Sequence, residues 1–270
     1  MLATVGGMTQ AEKFRELHRG AEVLLLPNAW DVGSARILQH LGFRAVATTS
    51  GGAAAARGRL DGALGRDAVL AHGAELAAAV DVPVSADLEN CFADEPEGVA
   101  ETVRRALTTG LAGVSVEDWS GSEIYDPALA AERVRAAVAA AGQDLVVTAR
   151  AENHIRGVAD LADTIARLQS YQQAGADVVY APGIRGREQI RAVVEAVDVP
   201  VNVLALPEVP PVPELAALGV RRISVGGAFA FAAYQAMADV AEELRTRGTY
   251  GFLDPAAGGA ALARKSFPTG

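Results

Sequence analysis

The sequence predicts an α/β chain folded as a (β/α)8 barrel of the TIM type, and three observations carry that prediction. Short apolar runs alternate with amphipathic stretches along the chain. The helical stretches end on Gly, in LGF, TTG, AAG, QAG and ALGV, where a left-handed stop suits that residue. The units number about eight, in a chain of 270 residues, which matches a barrel of ~250 residues.

The elements follow in order. A short first helix closes at LHRG, and VLLLPNA (23–29) reads as the first strand. DVGSARILQHLG has helical spacing and a terminal Gly. Then come strand 45–50, helix 66–80, strand 83–88, helix 96–109 and strand 113–118. Helix 127–141, strand 145–152, helix 158–174, strand 177–183 and helix 187–197 continue the alternation. Strand 200–206, a short helix 212–218, strand 222–227 and a long helix 229–247 complete it. A doubly wound open sheet is the main rival, but it usually has a Gly-rich turn after its first strand. Here that turn reads PNAWDVGS. The Ala-rich tract 53–56 is expected to be a loop. Residues 1–250 are expected to form one barrel domain, and the Gly/Pro-rich tail 251–270 to be irregular.

The bulk numbers exclude several classes. Half the residues are hydrophobic, 21% are charged and the formal net charge is −9. No basic face marks a nucleic-acid binder. No apolar run approaches the ~20 residues that span a bilayer. The start of the chain shows no basic region followed by an apolar stretch, so no secretion signal is expected. With a single cysteine, there is no internal disulfide framework. A cytoplasmic protein is the simplest reading.

The acids at the strand ends give the candidate site. Asp87 and Glu89 follow PVSA, and Glu117-Asp118 follow AGVSV. Acids after buried strands are poorly placed for packing, and converging carboxylates suit a hard cation such as Mg²⁺. If the strand persists, Asp87 and Glu89 share a face, while Asp118 faces away from Glu117. The competing reading is that these acids cap the following helices, as Asp94, Glu95 and Glu97 are expected to do. Arg150 closes LVVTAR. A buried arginine needs an anion, either a substrate acid group or the neighbouring Glu117 or Glu152. Ser50-Gly51-Gly52 offers backbone amides for an oxyanion, or alternatively a tight turn.

LLLPNAWDVGSARILQHLGFRAVATTSGG, PVSADLENCF, AGVSVEDW, LVVTARAEN, AGADVVYAPGI and LGVRRISVGG resemble, in order, the isocitrate lyase/phosphoenolpyruvate mutase superfamily, from about residue 10 to 250. The resemblance implies a (β/α)8 barrel, usually with its last helix swapped between subunits of a homodimer or homotetramer. It also implies Mg²⁺, with Mn²⁺ as a substitute, and a 2-oxo or hydroxy carboxylate at the strand ends. By the resemblance Asp87, Glu89 and Glu117 are metal-site residues. Ser50, Gly51, Gly52 and Asp61 lie in substrate-binding segments, and Arg150 binds the substrate's acid group. Asn202, at a strand end, and Trp30 are further substrate-binding candidates. Glu117, Arg150 and His154 are the candidate catalytic residues, with Tyr125 as another acid/base candidate and Trp119 as a pocket wall.

The chain also departs from the family pattern. The loop after the fourth strand reads WSGSEIYDPAL. It lacks the KKCGH-type lyase motif and the Lys and Asn of a mutase gating loop. Cys91 sits in a different loop, and Pro182-Gly183 replaces a glutamate that lyases often carry. A Mg²⁺-dependent lyase cleaving a C–C bond, or decarboxylating a small 2-oxo or hydroxy acid through an enolate, is the leading expectation. The alternatives are phosphonopyruvate-type P–C chemistry and a catalytically silent 2-oxo acid binder.

Overall fold

The computed structural model describes residues 7–268. The ends of the expected domain 1–250 and tail 251–270, namely residues 1–6 and 269–270, lie outside the described residues. Eight parallel strands carry the architecture: β1 (Leu24–Leu26), β2 (Val46–Ala47), β3 (Val84–Asp87), β4 (Gly113–Glu117), β5 (Val146–Arg150), β6 (Val178–Tyr180), β7 (Val201–Leu204) and β8 (Arg222–Ser224). They pair in the order β1-β8-β7-β6-β5-β4-β3-β2. The remaining seam closes through a bridge of Asn28 to Ala47, with Ala29 N donating to Ala47 O at 2.7 Å. The result is a (β/α)8 barrel, as the alternation predicts.

The strands are shorter than their apolar runs, because each run also supplies the first residues of the loop above. The helices are α1 (Gln10–Arg19), α2 (Val32–His40), α3 (Ser50–Ala55), α4 (Arg66–Ala79), α5 (Pro96–Ala106) and α6 (Pro127–Ala141). They continue with α7 (Leu161–Gln173), α8 (Arg187–Ala196), α9 (Val212–Ala217), α10 (Ala228–Glu242) and α11 (Leu253–Ser266). The capping chemistry is local. Thr9 and Glu12 form a reciprocal capping box on α1, and Asp31 does the same with Ser34 on α2. Pro127 opens α6, where its missing N–H costs nothing.

Two expectations are corrected. The tract 53–56 is not a loop: its alanines extend α3, which Thr49 caps through Gly52 N. The tail is not irregular: Ala-rich residues 253–266 form α11, which packs against α2. The expected helix 229–247 ends at Glu242 and passes into one π-helical turn, Glu243–Arg247. α10 leaves the barrel with only Ala230 buried, and Phe229, Phe231, Met237 and Val240 are exposed along it. No helix among the described residues is long and apolar enough to cross a membrane.

Inside the barrel, α1 plugs the amino-terminal end with Phe14, which is packed among Leu24, Leu26, Ala45, Val146 and Val178. Above it the interior turns polar. Neighbouring strands place Glu117, Arg150, Tyr180, Asn202 and Arg222 in one register row. Residues paired in a parallel ladder share a face, so the row points its side chains into the barrel.

Candidate active site

The carboxyl ends of the strands frame two adjoining cavities. The inner one holds about 400 Å³ and reaches down to Ser85, Ser115 and Arg222. The outer one, about 480 Å³, is lined by Glu89, Glu117, Trp119 and Arg156. Ser50 and Asp61 border both.

Asp87 ends β3, and its carboxylate is heavily engaged. Oδ2 accepts from Ser50 N at 3.2 Å, and Oδ1 accepts from Ser115 Oγ at 3.3 Å and Arg150 Nη1 at 3.1 Å. Arg150 also meets Glu117 at 2.8 Å through Nη1 and Glu152 at 2.9 Å through Nε. One guanidinium therefore holds three carboxylates at the barrel rim. Its side chain is 14% exposed, and those of Glu117 and Glu152 are 7% and 1%. Burial pushes the Glu117 carboxyl well above the usual range, and Glu152 and Asp87 push the same way against Arg150. A second arginine, Arg156, stands over this cluster. It reaches Glu152 at 3.3 Å and Glu117 at 3.7 Å, and its guanidinium lies 4.7 Å from the Trp119 ring centroid.

Glu89 departs from the expected geometry. β3 ends at Asp87, so Glu89 does not continue its face. Glu89 instead takes a left-handed backbone (φ 51°), followed by Cys91 (φ 60°) and Phe92 (φ 57°). Such residues cost about 1–3 kcal/mol each and persist where surroundings enforce them. The enforcing residue is Arg133 of α6, which is 1% exposed. It donates to Asn90 O, Ala93 O and Glu117 O at 2.6–2.8 Å and stacks 4.0 Å from the Tyr125 ring centroid. The turn delivers Glu89 to the outer cavity with Oε1 buried and unpartnered. Burial, then Asp87 and Asp61, raise its carboxyl to about 7.

An orphaned, crowded carboxylate beside two further acids is a donor set that fits a hard cation. No three His, Cys, Asp or Glu side chains among the described residues are arranged to ligate one ion together. Mg²⁺ takes one or two carboxylates directly and completes its shell with water, so that arrangement is compatible with it.

The other predicted residues divide. Ser50, Gly51 and Asp61 line the inner cavity. Ser50 N is taken by Asp87 and Gly52 N by Thr49 Oγ1, which leaves Gly51 N as the open amide at the start of α3. Gly52 is needed for packing rather than for ligand contact, since a Cβ there would stand 2.6 Å from Thr49 Cγ2 and 2.9 Å from Trp30 Cβ. Trp30 and Asn202 do not line either cavity. Asn202 is 1% exposed, and its amide is spent on Arg222 and Ser224. His154 is also outside both cavities, although its neighbours Ile155 and Arg156 line them. Burial lowers its pKa and leaves Nε2 unpartnered. Gly183 (φ 94°) lets this loop close onto β6, because a Cβ would sit 2.7 Å from Ile155 N. Tyr125 is committed to Asp94 and Asn90. Asp118 faces outward, as expected, and accepts from Glu152 N, Arg167 and Tyr171.

Arg156, Arg133, Tyr180 and Arg222 are absent from the sequence-based candidates. Arg222 carried a usable signal: a charge inside an apolar strand run, two residues before Ser224 on the same face.

The comparisons with known proteins agree with this fold. The family profile described as phosphoenolpyruvate phosphomutase matches residues 14–245. An uncharacterized protein of Mycobacterium tuberculosis is 36% identical over 215 residues, covering 79% of this chain and 81% of its own. The oxaloacetate decarboxylase of Paraburkholderia xenovorans is 31% identical over 221 residues, covering 76% and 71%. A solved Burkholderia cenocepacia J2315 protein, described provisionally as a lyase/mutase, superposes with a TM-score of 0.91 at 48% identity, covering 94% of each chain.

Proposed function

From the premise that the chain belongs to the phosphoenolpyruvate phosphomutase family, within the isocitrate lyase/phosphoenolpyruvate mutase superfamily, we propose that it is a Mg²⁺-dependent lyase. Its reaction breaks a C–C bond in, or decarboxylates, a small 2-oxo or 2-hydroxy carboxylic acid through an enolate. The observation that carries this reading is the convergence of Asp87, Glu117 and Glu152 on Arg150 at the mouth of a polar cavity. Relatives named oxaloacetate decarboxylase, 2,3-dimethylmalate lyase and 2-methylisocitrate lyase support the substrate class.

Asp87, with Glu89 and Glu117 around it, would hold Mg²⁺, and Mn²⁺ would substitute. When bound, the ion supplies positive charge to an enolate oxygen as it develops. The open Gly51 amide offers a hydrogen bond to that oxygen without reorganising. Arg150 is fixed by three acids and presents a rigid cation to the substrate's acid group. Trp119 and Arg156 stand over the mouth, where they limit water.

The chain is proposed to act in the cytoplasm as a homodimer or homotetramer without nucleic-acid or membrane partners. The exposed apolar residues of α10 support the assembly, with α10 exchanged between subunits, while the last helix, α11, packs against α2 of its own chain.

A panel of oxaloacetate, 2-methylisocitrate, 2,3-dimethylmalate and phosphonopyruvate, assayed with Mg²⁺, tests the reading. Release of a 2-oxo acid or glyoxylate that stops on adding a chelator supports it. Turnover of phosphonopyruvate alone, seen by phosphorus NMR, would move the reaction to P–C chemistry. Tight binding without turnover would leave a silent binder.

A further inference from the structure

Most of the buried cations of this barrel are matched. Arg150 and Arg167 meet carboxylates. Among the described residues Arg133 has only neutral partners, three carbonyls and the Tyr125 ring, with Nε unpartnered, but it lines neither cavity. Arg222 is different. It is 4% exposed, and its partners are neutral: Nε donates to Asn202 Oδ1 at 3.0 Å and Nη1 to Thr148 Oγ1 at 2.9 Å. Nη2 has no protein partner among the described residues. The Phe14 ring lies with its centroid 6.0 Å from the guanidinium carbon.

The side chain nevertheless forms part of the inner cavity, together with Ser85, Ser115 and Ser224. Taking an unmatched guanidinium out of water is costly. Burial lowers its pKa to about 10, and Arg150 pushes in the same direction. Its position is nevertheless rigidly kept: Asn202 is itself anchored by donating to Ser224 Oγ at 3.0 Å. A cation held at such cost, with one N–H edge open to a cavity lined by hydroxyls, is a receptor for an anion. Arg150 already meets three acids at the Asp87 end, so Arg222 is the cation in the cavity that has no anionic partner among the described residues.

We propose that Arg222 binds a second acid group of the substrate, at the floor of the barrel and away from the Asp87 end. The inference rests on the proposed function and narrows its substrate class to dianions whose far end is a carboxylate or an equivalent anion. Asn202 and Thr148 are the positioning residues for this group, which also explains why Asn202 sits behind the lining. Monocarboxylates fill the Asp87 end alone and leave the guanidinium unmatched, so the site discriminates against them.

The test compares lactate with malate, both enantiomers of each, by calorimetric titration in excess Mg²⁺. The two differ by one carboxylate. The expected result is that the wild type prefers malate about tenfold or more, the effect of one charge-assisted hydrogen bond. In Arg222→Met, malate falls to the lactate level while lactate is unchanged. Arg222→Lys, which keeps the charge but not the fork, retains part of the preference and serves if the methionine variant does not fold. Equal binding of the two acids by the wild type overturns this inference and leaves the proposed function standing. A preference that survives in folded Arg222→Met overturns it as well. A wild type that binds neither acid overturns both readings.

Discussion

Asp118 offers a prediction whose size can be worked from its contacts. It lies next to a candidate metal-site residue, yet its carboxylate faces the helices and serves the scaffold. Oδ1 accepts from Glu152 N at 2.7 Å, and Oδ2 accepts from Tyr171 OH at 2.6 Å and Arg167 Nη1 at 3.1 Å. Its side chain is 3% exposed. Asp118→Ala removes all three hydrogen bonds at once. Arg167 keeps Asp163 at 2.7 Å and Tyr125 O at 2.9 Å, so its share falls at the lower end of a charged hydrogen bond, about 1.5 kcal/mol. The Glu152 amide and the Tyr171 hydroxyl are left buried without acceptors, at about 1–3 kcal/mol each. Taking the lower ends, the variant loses about 3.5 kcal/mol. At roughly 2–4 °C per kcal/mol for a chain of this size, Tm falls by about 7–14 °C. Urea unfolding at neutral pH, with calorimetry for Tm, measures both. A loss below about 1 kcal/mol would refute the assignment of Asp118 to the scaffold.

Other outcomes follow from the same contacts. Arg150→Met strands Glu117 and Glu152, whose carboxyls burial already raises and Arg150 lowers. A raised folded pKa contributes stability below the unfolded value that is lost as pH climbs through the folded one. The variant, measured with chelator present, therefore trails the wild type by about 3–5 kcal/mol at pH 8 and by less at pH 5; an equal deficit at both would contradict this. Burial pushes the Cys91 thiol up to about 12, so a disulfide reagent at pH 8 modifies the native protein only as fast as it opens, and Cys91→Ala retains activity. Immediate stoichiometric labelling would show the thiol to be accessible. His154→Ala is expected to change turnover less than about twofold, since the ring lines neither cavity; a loss of a hundredfold or more would place it in the chemistry.

Much of the fold was legible because a parallel barrel writes itself in apolar runs and Gly stops. The bounds of α6, 127–141, can be read from Pro127 and the AAG stop. The strand ends gave Asp87, Glu117 and Arg150 for the same reason: a charge following a buried run needs a purpose. The errors came where local chemistry overrode pattern. Period-two alternation put Glu89 on the face of Asp87, but Arg133, from a distant helix, bends that turn into left-handed backbone. Gly and Ala composition made residues 53–56 and the tail look irregular, although Ala is also the best helix former. Gly52 looked like part of an anion cradle and proved to be a spacing requirement set by Trp30 and Thr49. Arg222 was missed because its partners, Thr148 and Asn202, are distant in sequence; Arg156 has Glu152 four residues before it, but Glu117 and Trp119, which place it over the mouth, are distant. Spacing does not reveal that one covers the mouth and the other lies at the floor.

The central claim is that a Mg²⁺-dependent site for a 2-oxo acid or its enolate lies at Asp87. Oxalate mimics a planar enolate, and its calorimetric titration with and without Mg²⁺ tests that claim most directly, in the wild type and in Asp87→Ala. Oxalate is expected to bind the wild type with Mg²⁺, and to weaken by about a hundredfold or more on chelation or in Asp87→Ala. Oxalate binding that is indifferent to Mg²⁺, or unchanged in a folded Asp87→Ala, would contradict the account.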